Sequence, residues 1–476
     1  MVFESKAPQL VWESIQKQLE QERLSYEHGC QMLTDYYVGG EELASKCLKR
    51  HTNEKDEEWE SRLARFMSLN YVKRVANAMI DGVYGERVER TIDQELTAEL
   101  FDDIYLYNSM HRKMRECMRA VVTLGDCYVR AWWNEELEQL RYAVLRPQDI
   151  LPVPRGDDVE RLQALIERRH ERAWVNGEFQ DMQRYFVWTE QEFGELHVSK
   201  DGKLATFAEN GEGKREMEPN RYGCIPYAHW KADSLAGQYG GISMIRDAVT
   251  IQREINNRGS VNSIVILMQG FSPMVVEGDL VSKLTASETG FLGVSKGGKI
   301  YYLQPGAPIT EVEGSIDKLI ERMCDCSGVP VSAVRGGTAN SGIQLAIEMK
   351  PLADIVEGLK TQAGESEREL FEHSLKVLKA HGQKVSVEAS MTPNFPESFL
   401  PTDTQAELAN NLLKIQSNLM SRKRFLQEED PDLTDEQAEE KLAEIDAEAA
   451  KGRQARTGLQ PMFGKPPSLV EEEGEE

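Results

Sequence analysis

Apolar residues recur at helical spacing over residues 8–33, where Leu10, Val11, Ile15, Leu19, Leu24 and Met32 are separated by charged positions. Tyr36-Tyr37-Val38-Gly39-Gly40 ends that unit, and the polar stretch His51–Trp59 reads as a loop. Two more helical patterns follow, over 60–84 with stop residues Gly82 and Gly85, and over 97–124. From Gly125 the period falls to two. Cys127–Trp133, Arg141–Leu145, Leu162–Arg168, Gln183–Thr189 and Phe193–Val198 read as strands, with Asn176-Gly177 and Asp201-Gly202 as turns. Cys224–Trp230 is a further extended segment.

The stretch Gly237–Glu277 organises what comes after. A glycine-rich turn opens into a long helical pattern carrying Ile242, Ile245, Val249, Ile251 and Ile255. A polar waist at Asn256, Asn257 and Asn262 follows, then the apolar run Ile264–Met268, stopped by Gly270, Ser272 and Pro273. Residues 271–313 are rich in glycine and β formers, with short strands at Met274–Glu277, Phe291–Val294 and Lys299–Leu303. Ser315–Cys326 is a helix with Ser315 as N-cap. Residues 327–342 are too glycine-rich and polar to be regular. A second very long helical pattern covers Ile343–Ala380, interrupted at Pro351 and Gly358, with a kink expected at the proline. Lys384–Ala389 reads as a strand, Met391–Thr402 as irregular, 404–426 and 434–451 as helices, and 452–476 as a disordered acidic tail.

With 476 residues the chain exceeds what one core accommodates, so two or more packed units are expected. Hydrophobic residues at 40% and charged residues at 29% suit a globular chain with a large solvated surface. No apolar run approaches the roughly 20 residues a membrane helix needs. The N-terminus lacks a basic region followed by an apolar core, which argues for a protein made in a cytosol rather than secreted. Seven scattered cysteines read as free thiols, and Cys324-x-Cys326 lacks the second pair a zinc site needs. The net charge of −24 excludes tight backbone binding to nucleic acid, though not a passage that lets DNA through without holding it.

Catalytic signals are weak throughout. Gly237–Gly241 and Gly336–Gly342 lack the Gly-Lys-Ser/Thr ending of a phosphate loop. Asp430-x-Asp432-x-x-Asp435 fails as a calcium loop at its sixth and twelfth positions. Gly293-x-Ser295-x-Gly297 matches a nucleophile elbow but is followed by a strand where that elbow needs a helix. The eight histidines are dispersed. No enzyme site, metal site or cofactor is nominated. The cluster His111-Arg112-Lys113-x-Arg115 with Arg119 reads as helix surface, and the acidic stretch 428–448 as a solvated helix face.

The order of elements carries more than any motif. GCIPYAHW at 223–230, GQYGGISMIRDAVTIQREINN at 237–257 and TANSGIQLAIEMKPL at 338–352, in this sequence of helices and strands, resemble the portal proteins of tailed bacteriophages. The likeness covers roughly residues 10–425. It implies a portal-like α+β fold: a wing (1–236), a first stem helix (237–268), a β-rich clip (269–314), a second stem helix (315–328), a tunnel loop (329–342), a long kinked wing helix and strand (343–400) and crown helices (401–451).

The resemblance further implies a ring, usually of twelve subunits, at one capsid vertex of a virion assembled in the host cytoplasm. Double-stranded viral DNA would pass through it. Terminase, a head-tail adaptor, and major capsid and scaffolding proteins would dock on it, with no membrane involved. Arg335, Gly336, Gly337, Thr338 and Asn340 are then tunnel-loop candidates. Arg253, Asn256, Asn257 and Arg258 are expected to turn towards water or DNA, while Lys283, Lys296 and Lys299 would meet an acidic partner in the clip. A different oligomeric adaptor, or an enzyme with a site assembled from distant residues, are the alternatives.

Overall fold

The long helix predicted in the centre of the chain runs from Arg246 to Gly270 and packs lengthwise on the helix Ile309–Ser327. They belong to a computed structural model that describes residues 11–13, 24–175, 178–198, 205–208, 213–270, 274–277, 298–302, 309–336, 342–396, 417, 421–424 and 441–443. Residues 1–400 form one compact unit and 401–476 a second. In the second, only short helical pieces at 422–424 and 441–443 are described, so the expected crown helices and acidic tail lie almost wholly outside the described residues.

The first unit begins with helices α1 (Leu24–Val38), α2 (Asp56–Ala64), α3 (Tyr71–Tyr84), α4 (Glu95–Tyr107) and α5 (Met110–Leu124). Two of the helical patterns read from the sequence are broken. The first starts at Asp56, inside the expected loop, and stops over residues 65–70 before Asn70 caps α3 by accepting from Lys73 N at 3.0 Å. The second divides at Ser109, whose φ of 52° ends one helix and redirects the chain into the next. On α3, Val72, Val75, Ala76, Met79, Ile80 and Val83 are buried at i, i+3 and i+4 spacing. Gly82 is not a stop but a crossing point. A Cβ there would lie 2.5 Å from a Val356 methyl of the long C-terminal helix.

Strands β2 (Asp126–Asn134), β3 (Gln139–Leu145) and β10 (Tyr227–Lys231) form an antiparallel sheet with β2 in the centre. A larger antiparallel sheet runs β4 (Ile150–Pro154), β5 (Leu162–Val175), β6 (Glu178–Trp188), β7 (Glu192–Val198) and β8 (Ala205–Phe207), with β9 (Glu218–Pro219) also on β7. The β5–β6 ladder extends from Leu165 opposite Trp188 to Val175 opposite Glu178, longer than the two strands read there from sequence.

After the short pair β11 (Asp233–Ser234) and β12 (Gly241–Ile242) come the helices α6 (Arg246–Gly270) and α7 (Ile309–Ser327). Between them β13 (Met274–Glu277) pairs antiparallel with β14 (Lys299–Tyr302). The expected strand Phe291–Val294 and the Gly293–Gly297 motif lie outside the described residues. Helix α7 starts six residues before the expected N-cap. Ser315 sits inside it, with its hydroxyl donating to the Val312 carbonyl at 2.7 Å. The segment expected to be irregular contains a short helix, α8 (Val331–Arg335), held by the buried Val334.

Helix α9 (Gly342–Ala380) continues through Pro351 and Gly358, because Leu352, Val356 and Leu359 on that stretch are buried against the core. Residues 384–389 are not a strand. The strand here is β15 (Met391–Asn394), paired with β1 (Glu89–Ile92). Pro393 is tolerated because a two-stranded ladder leaves one edge without required donors.

His373 on α9 has a buried Nδ1 without a hydrogen-bond partner among the described residues, and burial pushes its pKa down to about 4. An unfolded imidazole titrates near 6.5, so between pH 6.5 and 4 the unfolded chain binds more protons than the folded one. This residue's contribution is present above pH 6.5 and lost as pH falls through that window. His373→Gln is expected to reduce the loss of stability between pH 7 and pH 4.5 by about 2–3 kcal/mol, read from urea midpoints at the two pH values.

Candidate functional site: the helix pair and its supports

Helix α6 has 25 residues, which at 1.5 Å per residue makes it about 37 Å long. Its entry is fixed by close backbone packing. Gly125, at φ +99°, follows α5, and a Cβ on it would stand 2.7 Å from the Gly241 carbonyl oxygen. A Cβ on Gly241 would in turn stand 2.3 Å from the Gly125 oxygen, so both positions require glycine. Gly241 N donates to Asp126 Oδ1 at 2.6 Å, Ser243 Oγ to the Thr123 carbonyl at 2.6 Å and Met244 N to the Val122 carbonyl at 3.1 Å. The glycine-rich turn thus ties the start of α6 to the end of α5 and the start of β2.

The polar waist of α6 has an unexpected partner. Gln252, Asn256 and Ser260 lie at i, i+4 and i+8 on one face, all 1% exposed. Gln252 Oε1 accepts from Tyr71 N at 2.9 Å and Val72 N at 3.1 Å, and its Nε2 donates to the Leu69 carbonyl. Asn256 Oδ1 accepts from Leu69 N at 3.0 Å, and Ser260 Oγ accepts from Met67 N at 3.0 Å. Four helical residues rise about 6 Å and two extended residues about 6.6 Å. One turn of α6 therefore matches every second amide of residues 67–71, running in the opposite direction.

Asn256 is consequently not turned towards water or DNA. Its side chain satisfies the backbone of an irregular segment that has no sheet of its own. Arg253 is half-buried, and its Nε donates to Tyr36 Oη on α1 at 3.1 Å. Asn257 and Arg258 are partly exposed on the adjoining faces of α6. Val261 and Ile266, further along, are 47% and 50% exposed.

Arg335 ends α8 on the surface with its guanidinium paired to Asp317 of α7. Burial alone would lower its pKa, and the Asp317 carboxylate more than offsets this, raising it. Gly336 caps α8 at φ +73°. Gly337, Thr338, Asn340, Lys283 and Lys296 lie outside the described residues, and Lys299 is exposed on β14 opposite Glu277. Of the basic helix-surface cluster, Lys113 is instead partly buried, donating to Asn108 Oδ1 at 3.1 Å and to the Tyr142 carbonyl.

Helix α9, which packs on α3 and on strands β2 and β10, carries a buried ion pair. Glu367, 1% exposed, accepts from Arg90 Nε at 2.7 Å, Arg90 Nη2 at 2.9 Å and Tyr84 Oη at 2.8 Å. Burial alone would lower the Arg90 pKa, and the carboxylate more than offsets it, raising it. Arg90 also lies 5.1 Å from the Tyr105 ring centroid. This joins α9 to α3, β1 and α4. Sequence reasoning missed Gln252, Ser260, Arg90 and Glu367, although the i, i+4, i+8 spacing of the first group was there to be found.

None of the seven cysteines is in a disulfide, and Cys326 is exposed while the rest are buried. Among the described residues no group of three or more His, Cys, Asp or Glu is placed to hold a metal ion, and no helix is long and apolar enough to cross a membrane.

No curated protein matches the chain. Among solved structures, a chain in the virion of the native gene transfer agent (GTA) particle is similar at 12% identity and a TM-score of 0.45. That alignment covers 83% of this chain and 98% of that one. A chain in the neck of the native GTA particle computed with C12 symmetry is similar at 11% identity and a TM-score of 0.44, covering 74% and 85%. A chain in the neck of the empty GTA particle computed with C6 symmetry is similar at 12% and 0.45, covering 81% and 95%. The family model for phage portal proteins of the SPP1 Gp6-like kind matches residues 16–453, and the chain belongs to that family.

Proposed function

We propose that this portal protein assembles into a ring at one vertex of a phage-like capsid, with α6 and α7 around a channel for double-stranded viral DNA. The observation that carries the reading is the helix pair itself. Two long helices pack on each other, the β13–β14 ladder lies between them in the chain, and α8 and the long helix α9 follow. Val261 and Ile266 on α6 and Tyr301 on β14, at 47%, 50% and 47% exposure, give each copy apolar surface to bury against its neighbours.

The charge supports passage rather than grip. Duplex DNA carries one negative charge per about 1.7 Å, and a lining rich in cations would retain it. Against the net charge of −24, Arg258 and Asn257 offer sparse polar contacts on α6, and Arg335 is paired with Asp317. At the β13–β14 ladder, the exposed Lys299 would meet an acidic docking surface on a terminase or a head-tail adaptor. Capsid and scaffolding proteins would meet the outer body.

Negative-stain images of the purified oligomer, viewed down its axis, are expected to show a closed ring with a hole wide enough for a duplex. Deleting Gly336–Asn340 should leave that ring intact, because Val334 still anchors α8. The same deletion should remove most of the DNase-protected DNA from assembled particles. Monomers or dimers under assembly conditions would reject the ring, and normal packaging by the deletion variant would reject the channel role of the segment.

A further inference from the structure

Beside the β2–β3 sheet lies an open cavity of about 870 Å3, lined also by β5–β7, residues 218–222 and His381 beyond α9. It lies in the size range of sites that enclose a small ligand. Its walls are aromatic. Trp188 stacks on Tyr222 at 5.8 Å and 12°, Trp133 stacks on His381 at 5.0 Å and 12°, and Arg169 lies 3.7 Å from the Phe186 ring centroid.

Its polar lining has more donors than acceptors. Five arginines (130, 146, 168, 169 and 221) face four carboxylates (Glu135, Asp149, Glu167 and Glu218). Glu167, 2% exposed, already serves Arg130 at 2.7 Å, Arg169 at 2.6 Å and the Tyr227 hydroxyl. Three buried donors on lining residues remain without an acceptor among the described residues, Arg130 Nε, Arg168 Nε and Trp188 Nε1, against one buried acceptor without a donor, Asp149 Oδ1. A buried N–H without a partner is uncommon in folded proteins, and all three belong to residues that line this cavity.

We propose that the cavity is a binding site for a planar organic anion, an aromatic ring carrying a carboxylate or phosphate. The ring would stack on the tryptophan and tyrosine faces, and the anion would accept from the unused N–H groups and from Arg221, which is exposed at the mouth. Water alone would leave the aromatic walls wet, and an apolar ligand would leave the donors unmatched. The same chemistry can come from a free nucleotide or from an aromatic residue beside an acidic one in a polypeptide. An occupant would bridge the two sheets and the end of α9, so its arrival would stiffen their junction.

The test uses the full-length assembled protein and the fluorescence of its own tryptophans, three of which line the cavity. The probes are adenosine 5′-monophosphate and the blocked dipeptide phenylalanyl-aspartate, with adenosine and phenylalanyl-asparagine as uncharged counterparts. At least one anion should saturate the signal, with its counterpart about tenfold weaker. Arg221→Gln should weaken that anion about tenfold while oligomer size is unchanged. Saturation by the nucleotide assigns a free ligand, saturation by the dipeptide assigns a polypeptide, and saturation by both establishes the shared chemistry. Saturation by neither, equal binding of charged and uncharged probes, or an unaffected Arg221→Gln variant would overturn the site.

Discussion

Glu367→Ala is expected to lower the unfolding free energy by about 3–5 kcal/mol. The carboxylate is 1% exposed and accepts three hydrogen bonds, two of them from one guanidinium. Removing it leaves the Arg90 cation, whose side chain is 8% exposed, without a countercharge, and leaves the Tyr84 hydroxyl without an acceptor. Arg90→Ala should cost a similar amount by stranding the carboxylate. The double variant Glu367→Leu, Arg90→Met should recover much of the loss, since an apolar pair asks for no compensation. Urea unfolding of the three variants measures this. A Glu367→Ala loss below about 1 kcal/mol would show that the pair is solvated in solution.

Asn256→Leu and Gln252→Leu form the second case. Each leucine keeps the helix propensity of the stripe but leaves partly or fully buried backbone N–H groups without acceptors. Asn256→Leu strands Leu69 N, and Gln252→Leu strands both Tyr71 N and Val72 N. At about 1–3 kcal/mol for each unsatisfied group, losses of about 1–3 and 2–6 kcal/mol are expected respectively. Asn257→Leu, one position away and half-exposed, should cost less than about 0.5 kcal/mol. Chemical denaturation of all three variants provides the ranking. Equal effects at positions 256 and 257 would mean that the α6 stripe does not hold residues 67–72. Hydrogen exchange at Leu69 and Tyr71 gives a local readout, because their amides should lose protection first.

Local signals carried the helical architecture a long way. The spacing of Ile245, Val249 and Ile255 announced α6, and the strand pair Met274–Glu277 with Lys299–Tyr302 was visible in β-branched and aromatic residues. What escaped depends on partners far away in sequence. Glu367 meets Arg90 across 277 positions, and Asn256 meets Leu69 across 187. Asparagines on a helix read as solvent-facing because nothing nearby in sequence can bond them, and the irregular segment they serve has no periodicity to announce it. The same cause hid β15. Proline-rich Met391–Asn394 is a poor strand by propensity and becomes one because Glu89–Ile92 offers an edge. Ser315 shows the converse error, a good cap residue placed inside a helix. The buried lining between the two sheets was likewise invisible, since Arg130, Glu167 and Trp188 come together only through tertiary folding.

The ladder from Gln252 to Ser260 also sets how the long helix bears a load. Among the described residues its side-chain hydrogen bonds to residues 67–72 fall in the first 15 of its 25 residues, and beyond Ser260 the side chains Val261 and Ile266 are exposed. In mechanical terms α6 is a beam clamped at one end, with its root locked by glycine contacts and a three-rung hydrogen-bonded bracket. A sideways push at the free end would bend the outer two turns first, while torque about the axis would be taken up at residues 67–72. A ring of such beams would have a stiff collar and a compliant nozzle, its bore near the tip set by how the copies lean on one another.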